Sequence, residues 1–205
     1  MAVLKHDGHD FVPKVGAQGA VAALVDHEIA GAQVPQIVVE NTVKALGALA
    51  KHNIERRRAL ESPFTVIGIT GSVGKTTTKE LVSRVLGERF AVCATRGNLN
   101  NHIGVPLTLL SMTRDTEFGV VEMGASACGE LALLTSVAEP GYGILTNIGR
   151  AHLAGFGGPE GIRRGKGELF DYLAANGGRA FVPSDDRVLT EMAAVSYTHL
   201  TLPTN

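Results

Sequence analysis

The sequence predicts an α/β protein: a P-loop-type, doubly wound, mostly parallel sheet preceded by part of a smaller α/β unit. Three observations carry this. From residue 65 onward, short apolar runs alternate with stretches of helical periodicity, the pattern of a parallel sheet with helices on its faces. One run, Thr65–Thr70, passes through a glycine-rich turn straight into Lys75-Thr76-Thr77-Thr78. The 25 glycines and the absence of tryptophan in 205 residues suit a loop-rich α/β chain.

Taken in order, the runs 20–27 (AVAALVDH) and 35–40 (PQIVVE) are short, apolar and β-branched, and read as buried strands. Asn41 is placed to cap a helix through TVKALGALAKHNIERRR, with Val43, Leu46 and Leu49 at helical spacing. The Ser62-Pro63 turn then sets a domain boundary near Glu61–Phe64, giving a partial first domain over 1–62 and a second over 63–194. TVIGIT (65–70) is a strand. KTTTKELVSRVLG is a helix with Leu81, Val82, Val85 and Leu86 on one face, and Gly87 suits its C-terminal stop. FAVCAT (90–95), FGVVEM (118–123), YGILTN (142–147) and RAFVPS (179–184) are further strands.

Composition removes several classes. Hydrophobic residues make up 44% and charged residues 19%, as in an ordinary soluble globular protein. A net charge of −1 offers no electrostatic argument for nucleic acid or an anionic membrane surface. No apolar run approaches the roughly 20 residues that span a bilayer. The two cysteines, Cys93 and Cys128, form neither a disulfide framework nor a zinc spacing, so a reducing cytoplasm is expected.

The turn after TVIGIT is the strongest chemical signal. The strict P-loop pattern G-x-x-x-x-G-K-[ST] needs glycine at position 69, where this chain has Ile69. The physics survives the spelling. Backbone N–H groups of Gly71, Ser72, Val73 and Gly74 can turn inward on a phosphate, and the helix opening at Lys75, Thr76 and Thr77 adds its positive end. Lys75 can reach the β- and γ-phosphates of a nucleotide, and the Thr76 hydroxyl can ligate Mg²⁺.

Other candidates are weaker taken singly. Glu122 ends an apolar strand, where a carboxylate either binds Mg²⁺ or is an exposed acid. Asn147 ends another strand, with His152 five residues on; a lone histidine is more often structural. Lys166 in RRGKGELF reads by itself as a solvated helix lysine. Asn98, Asn100 and Asn101 either read a substrate or shape a turn. Pooled, Gly71–Thr76, Asn98, Glu122 and Asn147 all fall at one predicted sheet edge.

The motifs ITGSVGKTTTKE, GNLNNHIGVPLTLL, EMGA…GE and LTNIGRAHLAGFG…GKGELF occur in that order. Together they resemble the ATP-dependent Mur ligases of peptidoglycan synthesis, and within them the type joining D-alanyl-D-alanine to UDP-N-acetylmuramoyl-tripeptide. DGHDFVPKVGAQGAVAALVD is similar to the end of that type's N-terminal substrate domain, so the resemblance runs from about Leu4 to Asp186. That family spells its cradle T-G-[ST]-x-G-K-[TS], which Thr70–Thr76 match.

The resemblance implies that Lys75 and Thr76 handle the ATP phosphates and a first Mg²⁺, helped by Asn147. It implies that Glu122 and His152 hold a second metal, and that Lys166 is carbamylated by CO₂ and acts beside it. Asn98, Asn100 and Asn101 would face the substrate. Gly165 stands where the family usually has alanine, and Arg150 fills a slot that is often smaller. The implied reaction phosphorylates a carboxylate to an acyl phosphate, which an amine then displaces. It further implies a monomer, and a C-terminal amine-binding domain outside this chain, so that the chain alone is expected to be inactive. Rival readings are a folylpolyglutamate- or cyanophycin-type amide ligase, or a nucleotide-binding module without ligase chemistry. The segment 195–205 breaks the pattern; Val195–Thr204 can be back-translated onto a transposon-type sequencing adapter and is expected to be a non-native tail.

Overall fold

A computed structural model of the chain describes residues 7–149 and 153–196. It divides into two compact units, Met1–Leu46 and Gly47–Asn205.

In the first unit, Asp7 caps a 3-10 turn at Gly8–Phe11, which runs into the helical turn α1 (Val12–Val15) and a second 3-10 turn at Gly16–Gln18. Strands β1 (Ala23–Val25) and β2 (Gln36–Val38) pair in parallel, with Ala23 opposite Gln36. The connection is pinned by the Gln36 side-chain amide, which accepts from Ile29 N at 2.8 Å and donates to Ile29 O at 3.0 Å. The expectation of two buried strands is corrected for β2. Val25 is buried, but Ile37 and Val38 are about half exposed.

Helix α2 spans Thr42–Arg58, and Asn41 Oδ1 accepts from Lys44 N at 2.9 Å, the cap expected from the sequence. The buried face is not the expected one. Val43 and Leu49 are exposed, while Gly47, Ala50, Ile54 and Arg57 face inward. The reason lies at the C-terminal end. Arg57 Nε donates to Thr116 O at 3.0 Å and its other nitrogens bond Ser62 and the Pro63 carbonyl, with the guanidinium 5.0 Å from the Phe64 ring centre. A buried guanidinium so fully partnered fixes the helix rotation, and it ties the 61–64 turn into the second unit. The division between units therefore falls within α2 rather than at that turn.

The second unit carries one five-stranded parallel sheet in the order β4-β5-β3-β6-β7, made of Val92–Ala94, Phe118–Glu122, Thr65–Thr70, Tyr142–Leu145 and Arg179–Phe181. All five expected strands form. Alternate residues of the central strand serve opposite faces, as the strand period demands. Val66 joins Val121, Met123, Ala50 and Ile54 with apolar residues of α4 (Gly104–Leu110), α5 (Glu130–Ala138) and α7 (Pro159–Ala175). Ile67 and Ile69 pack with Val120 against Val82 and Leu86 of α3 (Lys75–Gly87). The remaining helices are the single turn α6 (Leu153–Phe156) and α8 (Arg187–Ser196), which packs Leu189 and Ala193 on Leu145 and Phe170.

The apolar face expected of α3 is split. Val82 and Leu86 reach the sheet, but Leu81 and Val85, turned away from it, are 61% and 71% exposed. Val195 and Ser196 extend α8, and the rest of the expected tail lies outside the described residues.

From β3 the chain moves to β4 and β5 on one side, then crosses to β6 and β7 on the other. The carboxyl end of β3 is thus the switch point of the sheet, where open α/β sheets leave a crevice.

Candidate functional site

The loop leaving β3 fills that crevice. Gly71 has φ 143°, and a Cβ there would collide with the Thr146 hydroxyl, so a side chain at this position would push the loop off the end of β6. Gly74 has φ 83° and is the residue from which α3 starts, a left-handed conformation that glycine adopts without penalty. Between them the loop is clamped. Val73 N donates to Asn147 Oδ1 at 3.0 Å, and Asn147 Nδ2 and Thr146 Oγ1 both donate to Val73 O, at 2.8 and 2.6 Å. Ser72 Oγ accepts from Gly149 N at 2.9 Å.

Asn147 therefore touches the loop rather than lying open to a ligand. Lys75 Nζ bends back to Gly71 O at 2.9 Å, across the loop's mouth. Thr77 is exposed on the first turn of α3.

One side chain away is a buried carboxylate. Glu122 is 2% exposed at the end of β5, its backbone N–H held by Thr95 Oγ1 at 3.0 Å. Its two oxygens each accept one hydrogen bond, from Thr76 Oγ1 and from Asn100 Nδ2, both at 2.8 Å. The structure thus brings Thr76 and Glu122 together, as the sheet-edge argument anticipates, but the asparagine that joins them is Asn100, not the Asn98 of that argument. It separates the other asparagines from them. Asn101 Oδ1 accepts from Ile103 N and Gly104 N and caps the start of α4, and Asn98 is an exposed turn residue whose carbonyl accepts from Asn100 N.

Lys166 overturns its reading as a solvated helix lysine. It is 3% exposed on α7, donates to Ala125 O at 3.1 Å and lies 5.5 Å from the Phe156 ring centre. Burial, and next the positive charge of Lys75, push its ammonium down to about 8. Gly165 beside it is a packing position: a Cβ there would stand 2.5 Å from Phe156 Cε1. Lys75, Lys166, Gly71, Ser72, Asn100 and Glu130 line a common cavity of about 430 Å³. His152 and Arg150 lie outside the described residues.

Several supporting residues carry no local sequence signal. Glu168 accepts from Gly129 N at 2.6 Å and Ala132 N at 2.8 Å, capping α5 from another helix. Glu130 accepts from Ser126 N at 2.6 Å, a bond that holds its carboxyl below the usual range, and so shapes the loop that carries Ala125. Thr70 Oγ1, fully buried at the last position of β3, has no hydrogen-bond partner among the described residues.

The donor set suits a hard divalent cation. Mg²⁺ takes oxygen ligands at about 2.1 Å, so neighbouring octahedral ligands stand about 3.0 Å apart. The hydroxyl of Thr76 and the carboxylate of Glu122, 2.8 Å apart, are close to that spacing.

A parallel sheet of this order, with a glycine-opened loop at its switch point and a Lys-Thr pair starting the next helix, defines a P-loop-type α/β domain. Comparison with known proteins agrees and goes further. Residues 69–204 match the family described as Mur ligase middle domain. The UDP-N-acetylmuramoyl-tripeptide–D-alanyl-D-alanine ligase of Bacillus subtilis is 42% identical over 175 residues, which is 84% of this chain and 37% of that protein. The Escherichia coli ligase of the same name is 39% identical over 173 residues, again 84% of this chain and 37% of the relative. Among solved structures, MurF from Acinetobacter baumannii superposes with a TM-score of 0.84 at 37% identity, covering 97% of this chain and 43% of that one. MurF from Thermotoga maritima in complex with ADP gives 0.82 at 33% identity, covering 96% and 44%. The chain belongs to the Mur ligase family. It spans less than half the length of these relatives.

Proposed function

We propose that the chain is the nucleotide-binding portion of an ATP-dependent amide ligase that joins D-alanyl-D-alanine to UDP-N-acetylmuramoyl-tripeptide in the cytoplasm. The observation that carries this reading is the junction at the switch point. Thr76 meets Glu122 at 2.8 Å beside a glycine-opened loop, and Lys75 and Lys166 face one cavity. Relatives 39–42% identical are named for that ligation, and one structural neighbour was solved with ADP.

In this reading the Gly71–Thr76 amides and Lys75 hold the β- and γ-phosphates of ATP. Lys75 gives up its bond to Gly71 O to do so. Because Thr76 and Glu122 are joined at 2.8 Å, both would hold one Mg²⁺, a departure from the family pattern in which Glu122 shares the second ion with His152; carbamylated Lys166 with His152 would hold that second ion. Bound there, Mg²⁺ neutralises phosphate charge and lets a substrate carboxylate approach the γ-phosphate. Asn100 keeps the Glu122 carboxylate oriented by occupying its second oxygen.

Lys166 has a reason to react with CO₂. With its ammonium held at about 8, roughly a quarter of the side chain is the neutral amine at pH 7.5, against about one part in a thousand for an ordinary lysine. The amine lone pair forms a C–N bond to CO₂, one proton passes to water, and the product is an anionic carbamate. An anion in that place favours a cation beside it.

The test is phosphate release from ATP in a protein of the relatives' full length, with both substrates supplied. Release that needs UDP-N-acetylmuramoyl-tripeptide and D-alanyl-D-alanine together, and that falls by more than a hundredfold in Lys75→Ala, is expected. Equal release with a folate or a cyanophycin-type acceptor would overturn the assignment.

A further inference from the structure

The geometry points to a further cation site, apart from the phosphate loop's ions, for a transition-metal ion such as Zn²⁺, formed by His9, Asp26 and His27 in the first unit. A His9 ring nitrogen, an Asp26 carboxylate oxygen and a His27 ring nitrogen lie within 4.8 Å of one another. Asp26 Oδ1 is 3.3 Å from His9 Nε2 and 2.5 Å from His27 Nδ1, and the two rings stack with centres 4.7 Å apart.

His9 is prepared for ligation. Asp7 Oδ1 accepts from His9 N at 3.0 Å and lies 2.6 Å from His9 Nδ1. That contact places the ring proton on Nδ1 and turns the Nε2 lone pair toward the Asp26–His27 corner. Carboxylate–imidazole–metal relays use this arrangement, in which the outer carboxylate fixes the tautomer and the ring plane. In the present arrangement Nε2 accepts from Asp26 N at 3.1 Å, a bond that a metal would replace.

The spacing needs modest adjustment. Tetrahedral Zn²⁺ with bonds of about 2.0–2.1 Å separates its ligand atoms by about 3.3–3.4 Å. The His9–Asp26 pair already stands at 3.3 Å. The other two sides of the triangle change by rotation of Asp26 and His27, whose side chains are 45% and 63% exposed, while His9, at 14%, stays fixed. Two imidazoles and one carboxylate select a borderline cation over Mg²⁺, which prefers oxygen throughout. Three protein ligands leave the fourth position to water or to an oxygen of a bound ligand. A bound ion would tie the end of β1 to the first turn of the chain.

Zinc binding to the 205-residue chain, measured by competition with a chromophoric chelator in excess Mg²⁺, tests this. The expected result is one Zn²⁺ per chain, with at least tenfold weaker binding in His9→Ala and His27→Ala. Asp7→Asn, which keeps the shape but weakens the relay, should lose about tenfold. Co²⁺ should give the visible absorption of a tetrahedral ion with nitrogen ligands, and lose it in His27→Ala. Thr76→Ala, at the other cation site, should retain the full zinc stoichiometry. Zinc binding unchanged in both histidine variants, or none detectable at 100-fold excess over protein, would overturn the proposal.

Discussion

Replacing Glu122 by glutamine separates a metal ligand from a structural acid by the sign of the stability change. The carboxylate is 2% exposed and has two side-chain donors, Thr76 Oγ1 and Asn100 Nδ2. Removing a charge of that kind from water costs several kcal/mol after relaxation. Two hydrogen bonds to a charged acceptor return about 1.5–3 kcal/mol each. Glutamine keeps the shape, accepts from Asn100 and donates to Thr76, at about 1 kcal/mol lost per bond, while the desolvation cost disappears. The net change is expected between zero and about 2 kcal/mol in favour of the variant. For a domain of this size each kcal/mol moves Tm by about 2–4 °C, so Tm should hold or rise by up to about 8 °C. The same substitution should remove the Mg²⁺ dependence of ATP binding. Calorimetry of both proteins, with ATP titrations with and without Mg²⁺, makes the measurement. A variant destabilised by more than about 1 kcal/mol that still binds ATP in a Mg²⁺-dependent way would refute the reasoning.

Lys166→Met should stabilise the chain at neutral pH. The folded-state value near 8 lies below the ordinary 10.5, so between those values the unfolded chain binds more protons and stability rises with pH. The penalty, about 3 kcal/mol at most, is fully present below pH 8 and is relieved as pH rises toward 10.5. Denaturant titrations in CO₂-free buffer should show that rise in the parent and not in the variant; a parallel pH profile in both would contradict the buried-amine argument. Asn147→Ala removes its two bonds to Val73, leaving that from Thr146, and should weaken ATP binding by about tenfold while costing no more than about 2 kcal/mol of stability. Unchanged affinity, measured by calorimetric titration, would mean that the loop keeps its shape without that residue.

What was legible in the sequence was local. The five strands, the cap at Asn41 and the loop from Gly71 to Thr76 follow from periodicity, capping chemistry and backbone freedom, all contained in a few adjacent residues. What was not legible depended on where the sheet carries distant segments. Asn98, Asn100 and Asn101 are chemically alike, and only the placement of β5 decides that Asn100 meets Glu122 while Asn101 turns back to cap α4. Lys166 looked like a surface residue because its neighbours Arg163, Arg164 and Glu168 are charged. Its burial comes from the approach of Phe156, which Gly165 admits, and from the Ala125 carbonyl on another loop. The inward face of α2 escapes the pattern for a similar reason: Arg57, polar by type, is buried and bonded to the distant Thr116 carbonyl.

These internal partners set the energetics of ligand binding at the switch point. Lys75 is held by Gly71 O, Glu122 by Thr76 and Asn100, and Lys166 by Ala125 O. Each charged group therefore has its geometry fixed by a hydrogen-bond partner, which lowers the ordering cost of binding. Each such bond must also be exchanged for a bond to the incoming ion or phosphate, at about 1.5–3 kcal/mol gross. Uncompensated, three exchanges would cost more than a weak ligand returns. A neutral nucleoside engages none of the three groups and has no reason to displace them. A polyphosphate with its cation engages Lys75 and Glu122, because the phosphates replace Gly71 O at Lys75 while the cation replaces the Thr76 proton at Glu122. In the proposed function, selectivity for a charged polyphosphate over its uncharged nucleoside would therefore follow from the bonds the site makes to itself.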